Sequence, residues 1–142
     1  MANSKIIPAE SDANTIRCAI WGKGSGNTYS IKETVHIHDT NFFTYDSGRF
    51  TFLKPGTYRI VFFGRGGYNS GGNTINLRYR IIRTHNGTNT TLASATNVAN
   101  VGTNGTIDQE FEVGDILYAE TSNASNSSNT HDFGYYVRRL TV

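Results

Sequence analysis

Two histidines set two residues apart, His36 and His38 in "HIHD", are the first side chains here that suggest chemistry. On a strand, residues i and i+2 share a face. Paired imidazoles of this kind offer nitrogen ligands to a metal. Such a site needs further ligands. The residues that follow, Thr40, Asn41, Phe42 and Phe43, hold no glutamate, and no histidine comes directly after "KPGTYRI". His36 and His38 are metal candidates on this pattern alone. The simpler account is a pair of surface or interface histidines, and no cofactor is expected.

The stretch "GKGSGNT", Gly22 to Thr28, suggests phosphate binding. A phosphate-gripping loop needs G-x-x-x-x-G-K-[ST], whose backbone N–H groups wrap the phosphates at a helix N-terminus. Asn27 stands where the lysine belongs, Trp21 stands where the first glycine belongs, and alternating residues follow rather than a helix. A hairpin connection between two strands is the expected role. "GRGGYNSGGN" fails as a dinucleotide fingerprint for the same reasons, so its glycines serve a long loop.

Nucleophilic catalysis finds little footing. The lone cysteine, Cys18, alternates with Ile16 and Ile20, which marks a core position. There is no G-x-S-x-G elbow. The eleven acids are scattered, mostly beside turns, and no pair stands out for glycoside chemistry. Asp115 in "VGDIL" is expected to satisfy turn backbone groups. Arg78, Arg80, Arg83, Arg138 and Arg139, with Tyr79, Tyr135 and Tyr136 nearby, mix charge and rings as a single-strand nucleic-acid surface does. A net charge of only +2 favours acid-paired strand faces instead, so neither nucleic acid nor membrane insertion is expected. The chain is not expected to be an enzyme.

The elements that must carry these residues have a period of two. "TIRCAIW", "GRFTFL", "TYRIVFF" and "TINLRYRII" alternate, and so does "YSIKETVHI". Turn signals such as "YDSG", "KPGT", "HNGTN" and "EVGD" separate them. Eight Tyr and eight Phe against one Met point to a core of rings and β-branched side chains. About ten short strands predict an all-β, two-sheet antiparallel sandwich over residues 15–142. Residues 1–14 show no alternation and predict an N-terminal arm. One cysteine excludes an intrachain disulfide, and no signal-peptide or membrane-spanning apolar run is evident. Five glycosylation sequons are read as a by-product of Asn, Ser and Thr richness.

Three landmarks then occur in order: "SGRFTFLKPGTYRIVFF", "FEVGDILYAET" and "HDFGYYVRRLTV". Together they resemble the jelly roll of tumour necrosis factor and of the complement globular head. The resemblance runs from about Thr15 to Val142. It implies a TNF-like jelly-roll sandwich that assembles as a homotrimer. The Asn/Ser/Thr-rich loops depart from the animal proteins, and no collagen repeat is present. "TYRIVFF" and "FGYYV" are apolar on both faces, whereas a sandwich strand needs one apolar face. Trp21, Val61, Phe63, Tyr135 and Tyr136 are therefore the expected trimer interface.

By analogy of composition, the chain is similar to small trimeric proteins of bacterial viruses. The expectation is a virion structural protein: a head fibre, decoration or tail-attachment protein, located on the particle. Ile6, Ile7 and Pro8 in the arm would dock on capsid or tail proteins. Tyr68, Asn69, Asn73, His85, Asn86, Asn89, Asn123 and Asn126 would contact host-surface glycans, since amides donate and accept while rings give flat platforms. The alternative is a cellular lectin-like or surface-layer trimeric binding module.

Overall fold

A computed structural model describes residues 13–68, 74–98, 102–123 and 130–141. They form thirteen strands: β1 (Ile16–Ser25), β2 (Ser30–Ile31), β3 (Val35–His38), β4 (Phe43–Asp46), β5 (Arg49–Phe52), β6 (Gly56–Arg65), β7 (Gly67–Tyr68), β8 (Thr74–Ile75), β9 (Leu77–His85), β10 (Thr88–Val98), β11 (Thr103–Phe111), β12 (Ile116–Asn123) and β13 (Thr130–Thr141). One sheet has the order β11-β6-β13-β1-β3. The other has the order β10-β9-β12-β5-β4, with β2 also on β12, and β7 and β8 form a separate ribbon. The pairings between strands are antiparallel. The chain is an all-β jelly-roll sandwich, as the alternation predicts.

The alternation decides what lies between the sheets. On β6, Tyr58, Ile60 and Phe62 are buried, whereas Arg59, Val61 and Phe63 face out. Leu77, Tyr79 and Ile81 on β9, and Phe133, Tyr135 and Val137 on β13, close the core from both sides. Aromatic rings fill one end. Phe52 stacks on Phe111 at 4.0 Å between centroids, and Tyr58 meets Phe52 edge-on at 4.8 Å. The Tyr58 hydroxyl donates to the Lys54 carbonyl at 2.7 Å, so the ring is buried without orphaning its oxygen. Cys18 is fully buried among these residues, and burial pushes its thiol well above the ordinary value.

Two expectations need correction. "KGSGN" is not a hairpin connection. β1 lies in the first sheet, but β2 pairs with β12 in the second, and β3 returns to β1. "YSIKETVHI" is therefore two short strands in different sheets rather than one. The detour is tied down by Asn123 N–H donating to Gly26 O at 2.7 Å and Lys32 N–H donating to Ala119 O at 2.9 Å.

The second correction concerns the histidines. β3 pairs with β1 through Cys18–His38, Ala19–Ile37 and Ile20–Val35, which leaves His36 unpaired in a bulge. A bulge flips the alternation. His38 packs edge-on against Phe50 at 5.8 Å and bonds Phe43 O at 2.7 Å. His36 instead stacks flat on Trp21, 3.8 Å between centroids, on the outer surface. The two rings do not share a face. Among the described residues no cluster of three His, Cys, Asp or Glu side chains is placed to hold a metal.

The β4–β5 turn fixes the detour from outside. Ser47 and Gly48 have φ of 50° and 89°. Two positive φ values make the two-residue hairpin that suits the twist of the strands. A Cβ on Gly48 would lie 2.5 Å from Lys32 O and press on the Ile31 side chain. Gly87, at φ 79°, has open space around it. Gly87→Ala should thus cost about 1–2 kcal/mol, the left-handed penalty alone. Gly48→Ala should cost roughly 3 kcal/mol or more, because overpacking adds to strain. Urea unfolding of the two variants gives the comparison, and equal losses would refute the packing role of Gly48.

Candidate functional site

The outer face of the first sheet is built by β6, β13 and β1, which lie side by side. Register places Phe63 opposite Gly134 and Gly134 opposite Trp21. One residue pair along, Val61 lies opposite Tyr136 and Tyr136 opposite Ala19. Gly134 separates two large rings. A Cβ there would sit 2.7 Å from the tip of Phe63 and 2.7 Å from Ile20 O, and would meet Trp21. The missing side chain lets Phe63 and Trp21 close over the backbone. Both remain 38% exposed. With His36 stacked on Trp21, they form a patch of rings on the outer face of the sheet.

Four of the five expected interface residues, Trp21, Val61, Phe63 and Tyr136, lie on this face. Tyr135 does not. It is fully buried between the sheets, because one step along a strand reverses the side chain. Burial lifts its hydroxyl well above the ordinary pKa of tyrosine. Further along the same face the chemistry turns ionic. Arg59 donates from Nε and Nη2 to the two oxygens of Asp108, both at 2.8 Å. Arg138, opposite Arg59 in register, donates to Asn14 Oδ1 at 3.4 Å.

The proposed glycan-contact residues scatter. His85 and Asn86 lie at the β9–β10 hairpin, where Asn86 (φ 49°) and Gly87 form the turn that "NG" signals. His85 Nδ1 bonds Asp115 Oδ1 at 2.7 Å. Asn89 donates to the Tyr118 hydroxyl at 3.3 Å. Asn123 is not a loop residue: it ends β12, is fully buried, and accepts from His131 Nδ1 at 2.7 Å. Tyr68 ends β7 and pairs with Thr74 in register. Asn69, Asn73 and Asn126 lie outside the described residues, as do Ile6, Ile7 and Pro8.

Asp115 serves the turn as expected, accepting from Glu112 N–H at 2.9 Å. It also accepts from Arg83 Nη2 at 2.8 Å and Nε at 3.1 Å. Burial pushes its carboxyl up, but the Glu112, His85 and Arg83 donors outweigh burial and hold it below the ordinary value. Arg80 donates to Glu120 at 2.6 Å, and Arg78 to Ser122 Oγ at 2.9 Å and Asn27 O at 2.7 Å. The arginine row on β9 is therefore engaged within the fold.

A polar pocket of about 220 Å³ was not legible in the sequence. It lies where the β2 detour leaves β1, and its walls include Lys32, His131, Thr121, Ser25, Ser30 and Thr34. β3 covers β1 only from Cys18 to Ile20, so the later carbonyls on that edge lack a strand partner. Lys32, itself buried, fills the gap. Its ammonium donates to Gly22 O at 3.2 Å and Lys23 O at 3.0 Å. His131 lies under Gly24, where a Cβ would be 2.5 Å from Nε2. Its Nδ1 bonds Asn123, and Nε2 accepts from Thr121 Oγ1 at 2.9 Å. Burial and then the Lys32 charge drive its pKa down to about 4, against a small upward pull from Asp132.

Three solved structures are similar to the chain over most of its length. They are the globular domain of zebrafish complement 1qA protein (16% identity, TM-score 0.59, 89% of this chain and 98% of that one), PRD1 vertex protein P5 (11%, 0.57, 89% and 99%) and murine APRIL (10%, 0.54, 84% and 98%). At these identities the likeness establishes the fold, a TNF/C1q-like jelly roll, as the three landmarks imply. No protein-family model matches the sequence, and no curated protein matches it as a relative.

The His131 environment sets a pH dependence. Its folded pKa is below the ordinary 6.5, so the unfolded chain binds the extra proton first. Stability should be complete above about pH 6.5 and fall as pH drops toward about 4, by on the order of 3 kcal/mol. The Asp115 contribution has the same sign but is lost lower, below the ordinary carboxylate range. Unfolding titrations between pH 7 and 4 should show this slope, and His131→Gln should flatten it. A slope unchanged in that variant would assign the effect elsewhere.

Proposed function

We propose that the chain is a virion structural protein whose jelly-roll head forms a homotrimer through the outer face of the first sheet. The observation that carries this reading is the set of outward apolar side chains on the first sheet, Trp21 and Phe63 closed over Gly134 with Val61 and Tyr136 beside them. Exposed apolar patches of this kind mark interaction sites on soluble proteins. Burying each large apolar side chain contributes about 1.5–3 kcal/mol in full, less here because each ring is already partly covered. The likeness to complement and TNF-type heads supports a trimer. The likeness to a viral vertex protein supports a place on a virus particle. Residues 1–14 are the anchor to capsid or tail proteins, and the head is the part that meets host-surface glycans. The chain acts by binding, not catalysis.

Light scattering should give three times the 15.6 kDa chain mass. Phe63→Asp should shift the population to monomer without unfolding it, because a carboxylate at a buried interface lacks a partner. A stable wild-type monomer, alone and with its particle, would overturn the trimer. Deleting residues 1–14 should leave a folded trimer that no longer joins the particle. Attachment that survives the deletion would move the anchor to the head.

A further inference from the structure

We infer that the pocket between β1 and the β2 detour binds a small sugar acid, with Lys32 as the group that receives its carboxylate. Lys32 is buried yet forms no ion pair among the described residues. An ammonium has three donors. Two are taken by Gly22 O and Lys23 O, which carry no full charge. The third remains for a ligand. Burial disfavours the Lys32 charge and the Asp132 carboxylate offsets this only in part, so an anion in direct contact would relieve the remaining cost.

The surrounding charges agree. Burial and the Lys32 charge keep His131 neutral, so it adds no second cation. Asp132 is the nearby carboxylate, and it is engaged by Lys23 at 3.4 Å and Arg65 at 3.9 Å. Glu33 stands exposed on the rim. Lys23, also on the rim, is the partner of Asp132, so Lys32 is the cation left for a ligand. The hydroxyls of Ser25, Ser30 and Thr34 line the rest. Hydroxyls donate and accept, which matches the hydroxyls of a sugar ring beside its carboxylate. The volume is below the roughly 300–1,000 Å³ of drug-sized sites, so one monosaccharide unit is the fitting size. The inference rests on the glycan-contact reading only for the biological source of the ligand. Binding of the free acid is independent of it.

The test uses the full chain with glucuronate, glucose and inorganic phosphate as probes, followed by NMR of the Lys32 and His131 side chains. Glucuronate should bind with a millimolar dissociation constant and move both sets of signals. Its negative charge should raise the His131 pKa from about 4 toward 6.5. Glucose should bind at least about tenfold more weakly, the equivalent of one charge-assisted hydrogen bond. Lys32→Met should lose the preference for the acid. The His131 titration in the unaltered protein stands even if that variant fails to fold. Phosphate binding as tight as glucuronate would overturn the sugar assignment, and silence of His131 and Lys32 to all three probes would overturn the site. Binding of free glucuronate without retention on beads bearing acidic glycans would keep the pocket and sink the host-glycan role.

Discussion

Strand β13 is the constraint on which the rest depends. It runs between β1 and β6 and is paired with both along most of its length. A strand in that position has no free edge, so its two faces decide everything around it. The inner face, Phe133, Tyr135 and Val137, must fill the space between the sheets. The outer face, Gly134, Tyr136 and Arg138, must accommodate what β1 and β6 present there. Gly134 shows how tightly the second demand is met: any side chain would collide with both neighbouring strands. A residue that only needed to stay in a sheet would not be glycine, since glycine weakens strands.

The same pairing explains why one end of the sandwich is polar inside. β1 stays on β13 through Ser25, but it loses β3 after Ile20. The chain must cross to the other sheet and return, and the crossing leaves β1 carbonyls exposed along an edge. A lysine side chain satisfies them from a distance, which a backbone strand would otherwise do. Burying that charge then selects a neutral His131 beside it, and a glycine at position 24 makes room for the imidazole. Four features of this corner, Gly24, Lys32, Asn123 and His131, follow from one interrupted strand pairing.

The sandwich, its core rings and the turn at "NG" were legible because each depends on local pattern. Period two fixes faces, and positive φ at Asn86 and Gly87 has a residue signature. The apolar character of the outer face was legible for a related reason: Val61 and Phe63 alternate with buried residues yet are apolar themselves. Tyr135 and Tyr136 could not be separated by composition, only by register against β6. The His36–His38 pair misled because a bulge breaks the alternation, and nothing in "HIHD" announces it. Lys32 and His131 stayed hidden for a different reason. They are 99 residues apart and meet only because the detour brings β2 onto β12. A hydrogen-bonded buried polar group carries no periodic signature, so sequence spacing has nothing to report.

The outer face of the first sheet is divided along its length. Around Gly134 it is apolar, and around Arg59 and Arg138 it is ionic. The division follows the strands, because Phe63, Val61 and Arg59 are successive outward positions on β6. Asn14, two residues before β1, is bonded at the ionic end by Arg138. Exposed ion pairs such as Arg59–Asp108 add little to stability. Charges that favour water confine any apolar contact on this face to the end that carries the rings.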